Sequence, residues 1–289
     1  MKHNSADIKR IVIFLLLSFS IAWIPWTIMN SRHGFYEWFT GEKQYAFLWV
    51  QLLSGGAPAI AAILTRIITK EGIADDLLRL KLKENLKYYV FALLLPLAVG
   101  LIRSMIARNM DYAESPALSG WMTASVIMQA LWNSLVLAFN TFGEEYGWRG
   151  YLYPKIESAW SRPLAIIAGG IIWGLWHAPL TVKGHNFGTD YPGFPYVGIL
   201  LMCGICVILG IFFHWLTLKT GSIYPASIAH SATNNGASLI MLIFVQVNAG
   251  NHDIPLRTTL ILFAPMLLYL LFIPLLMKKK ERSSGKEPA

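Results

Sequence analysis

The sequence predicts an all-α membrane protein, a polytopic bundle of about eight transmembrane helices forming one integral membrane domain over 1–289. Three observations carry that prediction. Hydrophobic residues make up 55% of the chain and charged residues only 14%, against about 25% charged in a typical soluble domain. The deficit is patterned, because apolar runs near or above about 18 residues recur from end to end, and runs that long cross a bilayer. Lys and Arg gather in alternate connections, as they do in multi-pass proteins.

Taken in order, the spans fall at 11–29, 45–66, 87–105, 121–143, 163–180, 196–217, 223–245 and 256–277. The first follows Lys9 and Arg10, as a signal peptide would. Its apolar run is long, however, and Trp23, Pro25 and Trp26 stand where small residues would mark a cleavage site, so it reads as an uncleaved span. The longest polar segment, 69–87, is a charged, helix-compatible connector. The sixth span holds Cys203 and Cys206 at C-x-x-C spacing. With no second pair and no polar flank, they read as small buried residues. From Lys278 the tail is short and basic.

Eight spans return both termini to one side. That side collects eighteen of the 24 Lys and Arg: the N-terminus, the 66–87 loop, the 149–162 connection, Lys219 and the tail. Arg32, Lys43, Arg103, Arg108, Lys183 and Arg257 fall on the other side. The positive-inside rule then predicts cytoplasmic N- and C-termini, in what is expected to be the plasma membrane of a bacterium. It also accounts for the net charge of +8 without a nucleic-acid partner.

Ionisable residues inside spans are costly and therefore point to function. Three segments in the fourth, fifth and seventh spans contain them. The first runs Phe142-Gly143-Glu144-Glu145-Tyr146-Gly147-Trp148-Arg149. Glu145 and Arg149 are i,i+4 and can pair on one helix face, while Glu144 is rotated about 100° away. Read alone, this is equally a charged helix end. The second runs Trp173-Gly174-Leu175-Trp176-His177, and its histidine alone could be an interfacial or core residue. In the third, His230 and Asn234 share a face at i,i+4; alone they could be polar glue between helices. His214 in the sixth span has no such partner and reads as structural.

A turn near Ser158–Pro163 puts Glu144 and His177 at similar distances along an antiparallel hairpin, roughly 24–26 Å from the turn. Peptide hydrolysis needs a base, an attacking water and donors for an oxyanion, and these side chains supply that set. No serine or cysteine is placed as a nucleophile: Ser231 follows His230 directly and faces elsewhere.

These three motifs, E-E-x-x-x-R, an aromatic-x-x-x-H and H-x-x-x-N, in that order on successive hydrophobic helices, resemble the CaaX protease and bacteriocin-processing family, also called Abi. The likeness covers 125–245, which would be a catalytic core inside the larger domain. One departure is Trp173, where the family usually has phenylalanine; it is expected to change packing more than chemistry. The resemblance implies an intramembrane endopeptidase of the glutamate type. Glu144 would activate water, His177 would orient it, His230 and Asn234 would face the oxyanion, and Glu145 with Arg149 would support the site. No cofactor is implied, and the partners would be membrane lipids and a peptide or lipidated-protein substrate. Three other functions stay open: a zinc metalloprotease with Glu144, His177 and His230 as ligands, a proton-coupled transporter, and a bacteriocin-immunity protein without proteolysis.

Overall fold

The computed structural model describes residues 5–32, 44–73, 75–109, 113–114, 120–244, 246–247 and 256–277. The basic tail from Lys278 lies outside the described residues. Helices dominate. In chain order they are α1 (Ser5–Arg32), α2 (Gln44–Ile68), α3 (Leu82–Arg108), α4 (Gly120–Val136), α5 (Ala138–Glu145), α6 (Tyr153–Ala159), α7 (Arg162–Trp176), α8 (Ala178–Thr181), α9 (Tyr196–Thr220), α10 (Tyr224–Ser231), α11 (Ala237–Phe244), α12 (Leu256–Phe263) and α13 (Ile273–Met277). A π-helical stretch, Tyr146–Leu152, joins α5 to α6, and a second, Ala232–Gly236, joins α10 to α11. A 3₁₀ stretch, Ala264–Phe272, joins α12 to α13. The strand pairing present is one two-residue antiparallel pair, Ala113–Glu114 with Gln246–Val247.

Helix occupies each predicted span, but the count of eight crossings does not follow from it. Among the described residues, four helices are individually long and apolar enough to cross a membrane, or five if α4 and the segment after it, bent by 40°, form one span. The segment Arg162–Trp176 is apolar but short, and α10–α11 is interrupted by its π stretch. Such breaks are tolerated at membrane depth because neighbouring helices satisfy the freed backbone groups.

Small residues let the helices that carry the motifs approach closely. A Cβ on Gly147 would lie 2.2 Å from Pro58 Cβ, and one on Gly174 would lie 2.4 Å from Cys203 Cα. The first contact seats the π stretch on α2; the second seats α7 on α9. The glycines after Glu144 therefore do not end the helix but bring it against its neighbour. The turn falls as predicted: Trp160 closes α6, and Ser161 caps α7 by accepting from Leu164 N–H at 3.4 Å.

Helix α1 belongs to the core. Phe14 packs edge-on to Trp148, with ring centroids 5.6 Å apart, and Trp26 meets Trp176 at 4.6 Å. At the end of the bundle near residue 71, five side chains interlock. Arg10 pairs with Asp7 and Glu71 at 3.0 Å each, Lys155 pairs with Glu71 at 2.7 Å and Asp7 at 3.3 Å, and Tyr151 Oη–H donates to Glu71 at 2.7 Å. This cluster ties α1 and the turn after α2 to the π stretch and α6.

Candidate active site

Glu144 and Glu145, adjacent in sequence, part company as the helical rotation requires. Glu145 is fully buried and accepts from Arg149 Nη1 at 2.8 Å. The same oxygen, Oε1, lies 2.8 Å from His230 Nδ1. Glu144, half-buried, turns toward α7, and its Oε2 accepts from the Trp173 indole N–H at 2.7 Å.

Trp173 is a junction. Besides holding Glu144 through its indole, it offers its backbone carbonyl to His177 Nδ1 at 2.8 Å. That bond fixes the His177 tautomer with the proton on Nδ1 and leaves Nε2 as an acceptor. The Trp173 ring also meets His230 edge-on at 5.2 Å and takes the Arg149 guanidinium over its face at 4.2 Å. Phe213 stacks on His230 at 5.4 Å and takes the Arg149 guanidinium over its ring at 5.3 Å. The arginine thus spends one nitrogen on Glu145 and the rest of its plane on aromatic faces. Its Nε and Nη2, and Glu145 Oε2, are buried with no hydrogen-bond partner among the described residues.

A cavity of about 220 Å³ is lined by His177, His230, Asn234 and Trp173. Arg103, His185, Asn186 and Ser238 also face it, between apolar side chains of α9 and the segment around Phe263. Glu144 is not among the lining residues; it adjoins the chamber through Trp173. Asn234 is exposed on the second π stretch, and π turns of this kind recur at functional sites. The chamber occupies the half of the bundle remote from the 69–81 turn. The start of α3 is tied to the end of α9 by Asn85 Nδ2–H donating to Thr220 O at 3.2 Å. Arg103 lies about 27 Å beyond Asn85 along α3 by helical rise.

The structure brings His177, His230 and Asn234 together, puts Glu144 beside them, and sets Glu145 and Arg149 beneath His230. It adds to one expectation: beyond packing, the tryptophan at 173 donates its N–H to Glu144, a hydrogen bond that phenylalanine lacks. His185, stacked parallel to His177 at 6.2 Å, and Arg103 also face the chamber and were not singled out by their motifs. His214, read as structural, is buried 3.6 Å from Glu157 and against Tyr153. Cys203 and Cys206 are buried free thiols. Among the described residues no three His, Cys, Asp or Glu side chains converge as a metal-ligand set. His177 and His230 each already commit Nδ1 to a protein oxygen.

Residues 123–236 match a family model described as Rce1-like, type II CAAX prenyl endopeptidase. The chain is also 30% identical over 220 residues to CAAX prenyl protease 2 of Methanococcus maripaludis, an alignment covering 71% of this chain and 80% of that relative. All three segments that carry the glutamates and the histidines lie inside the matched region.

Proposed function

The chain belongs to the CaaX prenyl protease family, and from that premise we propose that it is an intramembrane endopeptidase whose water is activated by Glu144. One observation carries the reading: Trp173 holds the Glu144 carboxylate at 2.7 Å and the His177 imidazole at 2.8 Å, so base and water-orienting group share one support. Glu144 takes a proton from water lying between it and His177 Nε2. The oxygen attacks the scissile carbonyl carbon, and the carbonyl oxygen becomes an oxyanion. Asn234 donates its amide N–H to that oxyanion. His230, held by Glu145 through Nδ1, turns its Nε2 edge to the same oxygen. Glu144 then delivers its proton to the departing nitrogen, the C–N bond breaks, and an acid and an amine leave. Each group supplies what acyl hydrolysis requires of it.

The test is cleavage of a fluorogenic peptide, lipidated and unlipidated, by the purified protein in detergent. Glu144→Ala is expected to lower kcat about 100- to 10,000-fold, the usual range for removing a general base, and a strong chelator is expected to leave wild-type activity intact. Activity lost to chelator and restored by zinc would replace this reading with metal catalysis. Full activity in Glu144→Ala would overturn it outright. The orientation belongs to the same proposal: the Lys and Arg bias supports cytoplasmic termini.

A further inference from the structure

Helices α3 and α9 are each long and apolar enough to cross a membrane, and they meet at one end of the bundle. There Asn85 Nδ2–H donates to Thr220 O at 3.2 Å, and Lys81 Nζ donates to Gly221 O at 2.9 Å. The start of α3 and the end of α9 therefore stand at the same depth, where a span leaves the hydrocarbon for the headgroups. Residues there are sorted into two tiers. Lys87 on α3 and Lys219 on α9 are exposed, and their ammonium groups lie 5.3 and 5.9 Å from the centre of a single ring, that of Tyr88. One turn deeper on each helix, about 6 Å by helical rise, stands an aromatic residue. Phe91 comes four places after Lys87, and Trp215 four places before Lys219.

The aromatic tier is continuous. Trp215 meets Tyr88 edge-on at 5.9 Å and Phe91 at 6.1 Å, and Phe272 closes the group at 4.6 Å from Trp215. All four side chains are half-buried, so part of each reaches the outer surface of the bundle. The charged tier is unbalanced. Lys83 adds an ammonium on the face of Lys87, four residues away. The acids of the preceding turn are spent elsewhere, Asp75 on Arg66 at 2.8 Å and Asp76 on Arg79 at 3.3 Å. Glu84 is exposed and forms no ion pair with these lysines among the described residues. An aromatic belt with flanking lysines orients many spans. Two lysines drawn from different helices to one ring, with no carboxylate between them, go further. Like charges held together repel, and an anion placed between them removes the repulsion.

We propose that this surface binds the headgroup of an anionic phospholipid, with its phosphate at Lys87 and Lys219 and an acyl chain over Phe91, Trp215 and Phe272. Of the anions that suit the lysines, one with an apolar tail also covers the rings beneath them. A zwitterionic lipid brings a cation of its own against the lysines. The bound lipid ties α3 to α9, and both helices wall the chamber further along, α3 through Arg103 and α9 through Met202 and Cys206. The proposal stands apart from the peptidase reading, since holding a lipid needs no scissile bond.

The test is native mass spectrometry of the purified full-length protein in detergent, titrated with phosphatidylglycerol or with phosphatidylcholine carrying the same acyl chains. Wild type should bind one phosphatidylglycerol on the order of tenfold more tightly than phosphatidylcholine, since each basic residue at an anionic surface is worth about fivefold. Lys87→Gln with Lys219→Gln should bring that ratio close to unity. Lys279→Gln with Lys280→Gln, which removes the same charge from the tail, should leave it intact. Trp215→Leu should weaken both lipids alike and keep the ratio. Phosphatidylglycerol should also raise the melting temperature of wild type and not that of the Lys87/Lys219 variant. Equal retention of the two lipids by wild type would overturn the proposal without any variant having to fold. So would a preference that survives loss of Lys87 and Lys219, or one lost equally in the tail variant, which would reduce it to diffuse attraction by net charge. Glycerol phosphate, the headgroup anion without chains, should fail to displace the lipid at equal concentration. Displacement would make this a site for a soluble anion and sink the lipid proposal.

Discussion

Two polar clusters sit in this mostly apolar molecule, and they are built on opposite terms. At the end near residue 71, Asp7, Arg10, Glu71, Tyr151 and Lys155 satisfy one another: Glu71 alone accepts from Arg10, Lys155, Tyr151 and Thr69. Around His230 the balance is left open. Arg149 makes one hydrogen bond and otherwise faces aromatic rings, Glu145 Oε2 has no partner among the described residues, and Glu144 is held by one donor. A saturated cluster has nothing left to offer a substrate and serves to fasten helices. An unsaturated one costs stability and is retained where chemistry needs unspent donors and acceptors. The fastening cluster also reaches the π stretch that begins one residue after Glu145, so the closed cluster holds the helix on which the open one is displayed.

The sharpest way to break this contrast is to cut the buried pair. Arg149→Met leaves Glu145 charged and buried, and removing one partner of such a pair costs about 3–5 kcal/mol. The expected result is a large fall in melting temperature together with loss of cleavage. Glu145→Gln in the same molecule removes the stranded charge while keeping an oxygen for His230 Nδ1–H, and stability should return in large part. Activity should not, because the carboxylate that faces His230 Nδ1 is gone. A double variant that is both stable and active would show the pair to be ordinary packing, and the contrast between the clusters would fail.

A smaller and more local effect is expected at Trp173. Trp173→Phe keeps an aromatic face for Arg149 and an edge for His230 but deletes the N–H donated to Glu144. The backbone carbonyl that holds His177 is untouched. Loss of one hydrogen bond to a charged group is worth about tenfold or somewhat more. We expect kcat to fall by that amount while KM and the melting temperature hardly move. Equal losses in kcat and stability would reduce Trp173 to the packing role that its sequence alone suggests.

That difference marks where the sequence stops being legible. Periodicity and spacing suffice for features that one helix decides by itself: the Glu145–Arg149 pair, the opposed directions of the two glutamates, and the turn at Ser161 that sets Glu144 level with α7. They fail where a second helix decides. The π stretches at Tyr146–Leu152 and Ala232–Gly236 lie where Gly147 is pressed against α2 and Gly236 against α4 and α3, and no local pattern announces them. Arg103 reads as a loop-side charge, because a residue near the end of a span is spelled alike whether it snorkels to the headgroups or turns inward. The eight-span count runs beyond the described helices for a related reason. Apolarity measures the desolvated environment, and buried helices such as Arg162–Trp176 meet that condition without the length to cross alone.

The least disruptive test addresses the closed cluster. Burial alone would raise the Glu71 carboxyl, but the Lys155, Tyr151 and Thr69 hydrogen bonds outweigh it and hold the group below its ordinary 4.5. A carboxylate whose folded value is depressed contributes stability that is present above its unfolded value and is lost as pH falls through the folded one. Wild-type melting temperature should therefore hold steady from neutral pH down to about the ordinary glutamate value and fall below it. Glu71→Gln should melt only a few degrees lower at neutral pH, since a cost near 1 kcal/mol shifts a protein of about this size by about 2–4 °C. It should also lose part of the acid dependence, the remainder belonging to Asp7 and the other carboxylates. Turnover per folded molecule should be unchanged, because no member of this cluster lines the chamber. If turnover fell in Glu71→Gln while the melting curve stayed put, the fastening cluster would be coupled to the chemistry through the π stretch, and the two regions would have to be treated as one device.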